Sequence, residues 1–183
     1  MEFFEHEGLE WCTENFESDK FNNGDQIQES KTQDQWRTAG ANKAPTWMWN
    51  SQEDPKFKIY NYYCLKDPRG ILSDEITIPK IDELKSLVHL KEGVLHNPFN
   101  LPNAGYIGSS GSIALEEYGF YWSKSSDGGP AYKYYLSFSK QQNIINPGSD
   151  KLLVGYMLRC RKKTEEELNQ NGWHHGNTKP IKN

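Results

Sequence analysis

The side chains best equipped for covalent or metal chemistry in this sequence are Cys12, Cys64 and Cys160 and the adjacent pair His174 and His175. Their spacing gives such chemistry little to work with. The cysteines are odd in number and far apart, with no Cys-x-x-Cys or other metal-ligand spacing. Three reduced, mostly buried thiols are expected, with one disulfide plus a free thiol as the alternative. Adjacent histidines in a strand point to opposite faces, so His174 and His175 beside Trp173 read as surface tail rather than a ligand pair. Asp82 and Glu83 are neighbours on a helical stretch and diverge, which argues against paired acid–base work. No Ser-His-Asp set stands out. The run Gly108-Ser109-Ser110-Gly111-Ser112 matches no phosphate-loop pattern and reads as a flexible turn. We therefore expect no catalytic residues, no metal and no cofactor.

The remaining source of function is aromatic. Trp47 and Trp49 lie between Pro45 and Pro55, on one side of an expected loop, where they could stack on sugar rings or anchor a partner. The alternative is that they fold back onto the core. Tyr132 and Tyr135, beside the Gly128-Gly129 loop, are the second pair of candidates. Trp47, Trp49, Tyr132 and Tyr135 are the expected ligand-binding residues. Trp11, Trp122, Tyr60 and Phe138 are expected in the core.

Composition supports an aromatic interior. Hydrophobic residues are 35% of the 183 and aromatic ones 13%. Aliphatic residues are sparse, so long amphipathic helices should not dominate. The formal charge of −4 offers no basic footprint for nucleic acid. The one basic cluster, Arg159, Arg161, Lys162 and Lys163, is followed by Glu165, Glu166 and Glu167 and reads as a solvated strand end. No apolar run approaches the ~18 residues that would suggest a membrane span, so no membrane insertion is expected. The acidic start of the chain resembles no secretory signal.

The elements are short. Residues 9–16 suggest a strand, Asn22-Asn23-Gly24 a turn, and Ile27 a second strand. Residues 29–44 lack a period, although Asp34-Gln35-Trp36 could open one helical turn. Residues 59–65 are ambiguous between strand and helix. Asp67-Pro68-Arg69-Gly70 reads as a β-turn, and Ile76-Thr77-Ile78-Pro79 as a strand. Ile81, Leu84, Leu87 and Val88 mark the clearest helix. Residues 94–113 should be a long loop. Three closing strands, over 118–123, from 132 and over 151–161, look like an antiparallel meander, with a turn through Asn146-Pro147-Gly148. In the last of them Tyr156, Leu158 and Cys160 should point inward and Arg159 and Arg161 outward. Thr164 should cap a short helix ahead of a polar tail.

The order of several motifs resembles the Fibrobacter succinogenes major paralogous domain family. These are Glu10-Trp11-Cys12-Thr13-Glu14-Asn15, Phe21-Asn22-Asn23-Gly24-Asp25, and Tyr60-Asn61-Tyr62-Tyr63 with Asp67-Pro68-Arg69-Gly70. They continue with Ile78-Pro79-Lys80-Ile81-Asp82-Glu83-Leu84, Gly119-Phe120-Tyr121-Trp122-Ser123 and Gly155-Tyr156-Met157-Leu158-Arg159-Cys160. The resemblance covers roughly residues 9–162. It departs at Glu75-Ile76, where the family has Trp-His, and at Lys80, where it has a Thr cap. It implies an α+β, C-type-lectin-like domain of short antiparallel strands, one or two short helices and long irregular loops, and no defined activity. Leu101-Pro102-Asn103, Asn97-Pro98-Phe99 and Asn146-Pro147-Gly148 lack the acid of a lectin-type calcium site. Cys160 alone cannot supply the reactive cysteine pair of the related formylglycine-generating enzymes.

The organisation expected is a lectin-like domain over 1–163 and a short helix with a polar tail over 164–183. The function expected is non-enzymatic recognition of a glycan or surface protein at a cell or virion surface, as in a phage tail or capsid accessory protein made in the cytoplasm. The alternative is a structural decoration subunit that docks on other subunits of an assembly through its tail.

Overall fold

The computed structural model describes residues 1–51, 53, 56–124, 132–151 and 153–172. The side chains of 132–134, 149–151 and 170–172 lie outside that description, as do Trp173, His174 and His175. The described residues form an α+β fold of fifteen short strands and four helices.

The chain opens with a hairpin, β1 (Phe3–His6) and β2 (Leu9–Cys12), pairing Phe3 with Cys12 and His6 with Leu9. Glu7 and Gly8 turn it with positive φ values of 50° and 74°, a turn that Gly eases. The expected strand over 9–16 is thus its second arm and stops at Cys12. The turn at Asn22–Gly24 forms as expected, closed by Gly24 N–H donating to the Phe21 carbonyl at 2.9 Å. The strand expected at Ile27 begins one residue later as β3 (Gln28–Glu29).

The next stretch differs from expectation twice. Residues 29–44 contain a full helix, α1 (Gln33–Ala41), capped by Thr32 Oγ1, which accepts from Gln35 N–H at 3.2 Å. Gln35 Oε1 in turn accepts from Lys31 N–H at 2.7 Å. Trp36 is the helix's large core residue, so a single ring replaces the apolar stripe that a periodicity search needs. The Trp47–Trp49 stretch is not a loop but a strand, β4 (Thr46–Trp49), parallel to β3 and antiparallel to β5 (Lys58–Asn61).

Both readings of 59–65 hold in sequence. β5 runs to Asn61, whose side chain then caps α2 (Tyr62–Lys66) by accepting from Cys64 N–H at 3.2 Å. The Asp67–Gly70 turn, β6 (Ile76–Thr77) and α3 (Ile81–Leu87) form as expected. The expected loop over 94–113 is more ordered than its Asn, Pro and Gly content suggested. It holds the second arm of a hairpin, β7 (His89–Lys91) with β8 (Val94–His96), and a pair of short strands, β9 (Tyr106–Ile107) and β10 (Ile113–Ala114).

An antiparallel meander does form, but its members differ from those expected and further short elements follow it. They are β11 (Gly119–Trp122), β12 (Tyr132–Ser139) and β13 (Ile144–Lys151). Pro147 lies within β13 opposite Leu136, so the chain does not turn there. A Pro is tolerated because β13 is an outer strand. The turn falls instead just before Ile144, where Asn143 has φ 50°. The expected strand over 151–161 is broken into β14 (Gly155–Tyr156), which bridges β5 and β9, and β15 (Arg161–Lys162), which bridges β2 and β6. The last element, α4 (Glu165–Gly172), starts where Thr164 Oγ1 accepts from Glu167 N–H at 3.3 Å.

The interior is two cores separated by the strands. Successive residues alternate between them, as the pleat requires. Trp47, Tyr60, Phe120, Trp122, Tyr156, Leu158 and Cys160 face one core. Met48, Ile59, Tyr121, Met157, Leu136 and Phe138 face the other, with Trp36, Leu84 and Leu87 of α1 and α3. Burial of each such apolar side chain contributes about 1.5–3 kcal/mol. Trp11, Trp122, Tyr60 and Phe138 are core residues, as expected. Residues 154–161 are buried without interruption. Arg159 and Arg161, expected to point outward, are 2% and 1% exposed. The segment runs between the two cores, which leaves it no continuous solvent face.

Candidate functional site

The two buried arginines define two different places. Arg161 Nε and Nη2 donate to the Glu83 carboxylate, both at 2.9 Å, and Nη1 and Nη2 donate to Glu167 at 2.7 and 3.0 Å. Glu83 comes from the first turn of α3, where its carboxylate also accepts from Lys80 N–H at 2.8 Å. Glu167 comes from the first turn of α4 and also accepts from Lys124 Nζ at 2.6 Å. Burial opposes the charge on Arg161, but the Glu167 and Glu83 hydrogen bonds outweigh it and raise its pKa. Arg161 holds the Glu167 carboxyl far below its ordinary range. Burial pushes the Glu83 carboxyl up, yet the same guanidinium leaves it lowered overall. This is a saturated ionic staple that fastens α4 to the body.

Arg159 has no such partners. Its Nη1 donates to the Cys12 carbonyl at 2.9 Å and to the Thr13 carbonyl. Its Nε has no acceptor, and no carboxylate lies within ion-pair distance of it among the described residues. Close by in the chain's path, Asn15 Nδ2 donates to Met157 Sδ at 3.2 Å, while its buried Oδ1 receives no donor. Unpaired buried polar atoms are uncommon and call for an explanation.

Arg159 and Asn15 both line an open groove of about 890 Å³. Phe57 and Phe99, with Met1 and Pro102, supply its apolar surface, Lys56 and Asn100 further polar groups, and the exposed Glu14 and Glu17 its acids. The rings are held firmly. Asn50, itself buried, accepts from Phe57 N–H at 2.6 Å through Oδ1 and donates its own backbone N–H to the Phe57 carbonyl at 3.1 Å. Asn97 closes the 97–101 turn by donating to the Leu101 carbonyl at 2.8 Å and accepting from Leu101 N–H at 2.9 Å. Phe99 stacks on Phe4, with centroids 4.7 Å apart and planes 16° from parallel. Tyr121 Oη donates to the Pro102 carbonyl at 3.0 Å beneath the same wall. Such a surface is arranged before a ligand arrives.

Of the four expected ligand-binding residues, Trp47 and Trp49 pack against each other on β4, whereas Tyr132 and Tyr135 lie on β12. Trp47 is 6% exposed, and its indole N–H donates to the Ile27 carbonyl at 3.1 Å. It is core, the alternative weighed from sequence. Its buried position follows from the strand that replaces the expected loop. Trp49 is half-buried and meets Trp47 edge-on at 5.3 Å. Lys58 Nζ sits 4.2 Å from the Trp47 ring and 5.4 Å from the Trp49 ring, with Lys56 Nζ 4.8 Å from Trp49. The ring surface intended for a sugar is therefore already paired with cations. Lys56 connects this stack to the groove, since it also lines the groove wall. Tyr135 lies on β12, in the meander, with its ring 4.9 Å from Tyr156 and 5.7 Å from Phe120. Tyr132 occupies the β12 position opposite Lys151, and its side chain lies outside the described residues.

Arg159, Asn15, Phe57 and Phe99 were not expected to act together. A signal for two of them exists in the sequence. Asn15 ends one family-like motif, and Arg159 interrupts the apolar run of another.

All three cysteines are free and buried. Burial pushes the thiols of Cys64, Cys160 and Cys12 up, so they stay protonated near neutral pH. Among the described residues, no three His, Cys, Asp or Glu side chains gather in a way that could hold a metal ion, and no helix is long and apolar enough to cross a membrane. Compared with protein-family models, with curated proteins and with solved structures, the chain matches none.

Proposed function

We propose that this protein is a non-enzymatic, C-type-lectin-like binding domain that recognises a glycan or surface protein at a cell or virion surface through the Arg159 groove. The observation that carries this reading is the groove itself. It combines two fixed aromatic rings, a mixed set of amides and carboxylates, and buried polar atoms left without internal partners. Ligand sites typically pair an apolar lining with a few such placed polar groups.

The fold part of the proposal rests on how the family-like motifs meet. Cys12 N–H donates to the Cys160 carbonyl at 3.0 Å, Gly155 pairs with Asn61, and Trp122 Nε1 donates to the Tyr60 carbonyl at 2.9 Å. Segments that resemble one family in order also pack directly against one another here.

A glycan array and a pull-down on cell-surface material test the reading, with an Asn15→Ala, Lys56→Ala double variant as control. The native chain should be retained and the variant at least tenfold less so. Equal retention of the two would move the site elsewhere, and no retention of either would remove the binding function.

A further inference from the structure

Resting on that reading of the groove, we infer that its ligand is an acidic saccharide whose carboxylate supplies the counter-charge that Arg159 lacks. Arg161, two residues away and equally buried, is matched by two carboxylates. Arg159 is buried in the groove lining with two backbone carbonyls and an unused Nε. A buried cation without a counter-ion is costly to maintain, and a guanidinium is built to meet a planar carboxylate.

The acids of the groove do not fill this role. Glu14 and Glu17 are exposed, and Glu17 Oε1 accepts from Lys58 N–H at 3.4 Å. Water screens exposed carboxylates, whereas a buried charge acts through a lower dielectric. A ligand carboxylate near Arg159 therefore gains more from the buried cation than it loses to the exposed acids. Lys56, on the groove wall, adds a second positive group.

A sugar rather than a peptide fits the remaining lining. Phe57 and Phe99 offer apolar surface for the C–H faces of a pyranose ring. Asn100 carries both a donor and an acceptor on the groove wall, and the exposed Glu14 and Glu17 accept from hydroxyls. Neutral hydroxyls and one carboxylate together use every class of polar group present.

The test is titration calorimetry on the full chain with a panel of carboxylated oligosaccharides, both uronate and nonulosonate types. Each is compared with its methyl ester and a matched neutral oligosaccharide. The free acids should bind at least tenfold more tightly than their esters, and raised salt should narrow the gap. Arg159→Met should abolish the preference for acid over ester while circular dichroism stays native. Should that variant not fold, the acid–ester comparison on the unaltered protein, with Lys56→Ala, decides alone. Equal binding of acid, ester and neutral sugar overturns the inference and leaves glycan recognition standing. Binding of no saccharide, together with retention of a surface protein that Lys56→Ala weakens, also overturns it but keeps the groove as a protein site. Absence of all binding overturns both.

Discussion

Arg159 and Arg161 leave the same stretch of backbone two residues apart, and both are almost wholly hidden from solvent. Around Arg161 every guanidinium nitrogen has an acceptor, and two helices supply the charges that neutralise it. Around Arg159 the acceptors are two carbonyls, one edge is unused, and the wall beyond is open groove. A structural buried charge and a receptive one thus differ in their surroundings. Burial alone does not separate them. The count of internal partners does, because a saturated cation has nothing left to offer a ligand.

The largest effect is expected at Arg161. Arg161→Met leaves Glu83 and Glu167 without their shared cation, and stability should fall by about 3–5 kcal/mol in chemical denaturation, as when one partner of a buried pair is removed. Adding Glu83→Gln and Glu167→Gln should recover part of the loss. A smaller effect separates the two sites by pH. The Glu83 and Glu167 carboxyls have folded pKa values below their ordinary 4.5. The unfolded chain therefore takes up protons first on acidification. Stabilisation by the staple is complete above about pH 4.5 and is lost as pH falls through the depressed values. Glu167→Gln should flatten that acid limb in a thermal melt series, whereas Arg159→Met should leave its shape unchanged.

Arg159→Met itself removes an already unpaired charge, so its cost should stay near 1–2 kcal/mol from the lost carbonyl hydrogen bonds. If denaturation shows Arg159 to matter as much as Arg161, the distinction between staple and receptor fails. The mildest change is Thr164→Ala, which removes the cap that aims Glu167. A loss of about 1 kcal/mol is expected, with groove binding untouched.

Much of the local structure was legible from the residues. The α3 helix, the strand ending in Trp122, the Asp67 turn and the Thr164 cap each carry a short-range signal that needs no distant partner. The α1 helix gives little periodic signal because its apolar face is chiefly Trp36, although Thr32 and Gln35 have the spacing of a helix start. The Trp47 strand was read as loop because flanking prolines suggested irregular backbone, while pairing with β3 and β5 decided otherwise. Alternation points both arginines outward, and packing decides otherwise. Alternation predicts one wet face and one dry face, and residues 154–161 have two dry ones. The groove shares that limit, since Asn15, Phe57, Phe99 and Arg159 meet only through long-range packing.

That doubly covered segment also sets how the chain can change over time. In a strand with one wet face, a single-residue slip is punished by bringing oily side chains into water. Here the same slip would trade Tyr156, Leu158 and Cys160 against Met157 and Arg159, pouring the contents of one interior into the other. Insertions and deletions should therefore be purged from this stretch far more severely than from the surface turns around Asn23 or Gly93, leaving its length as the most rigid ruler in the molecule.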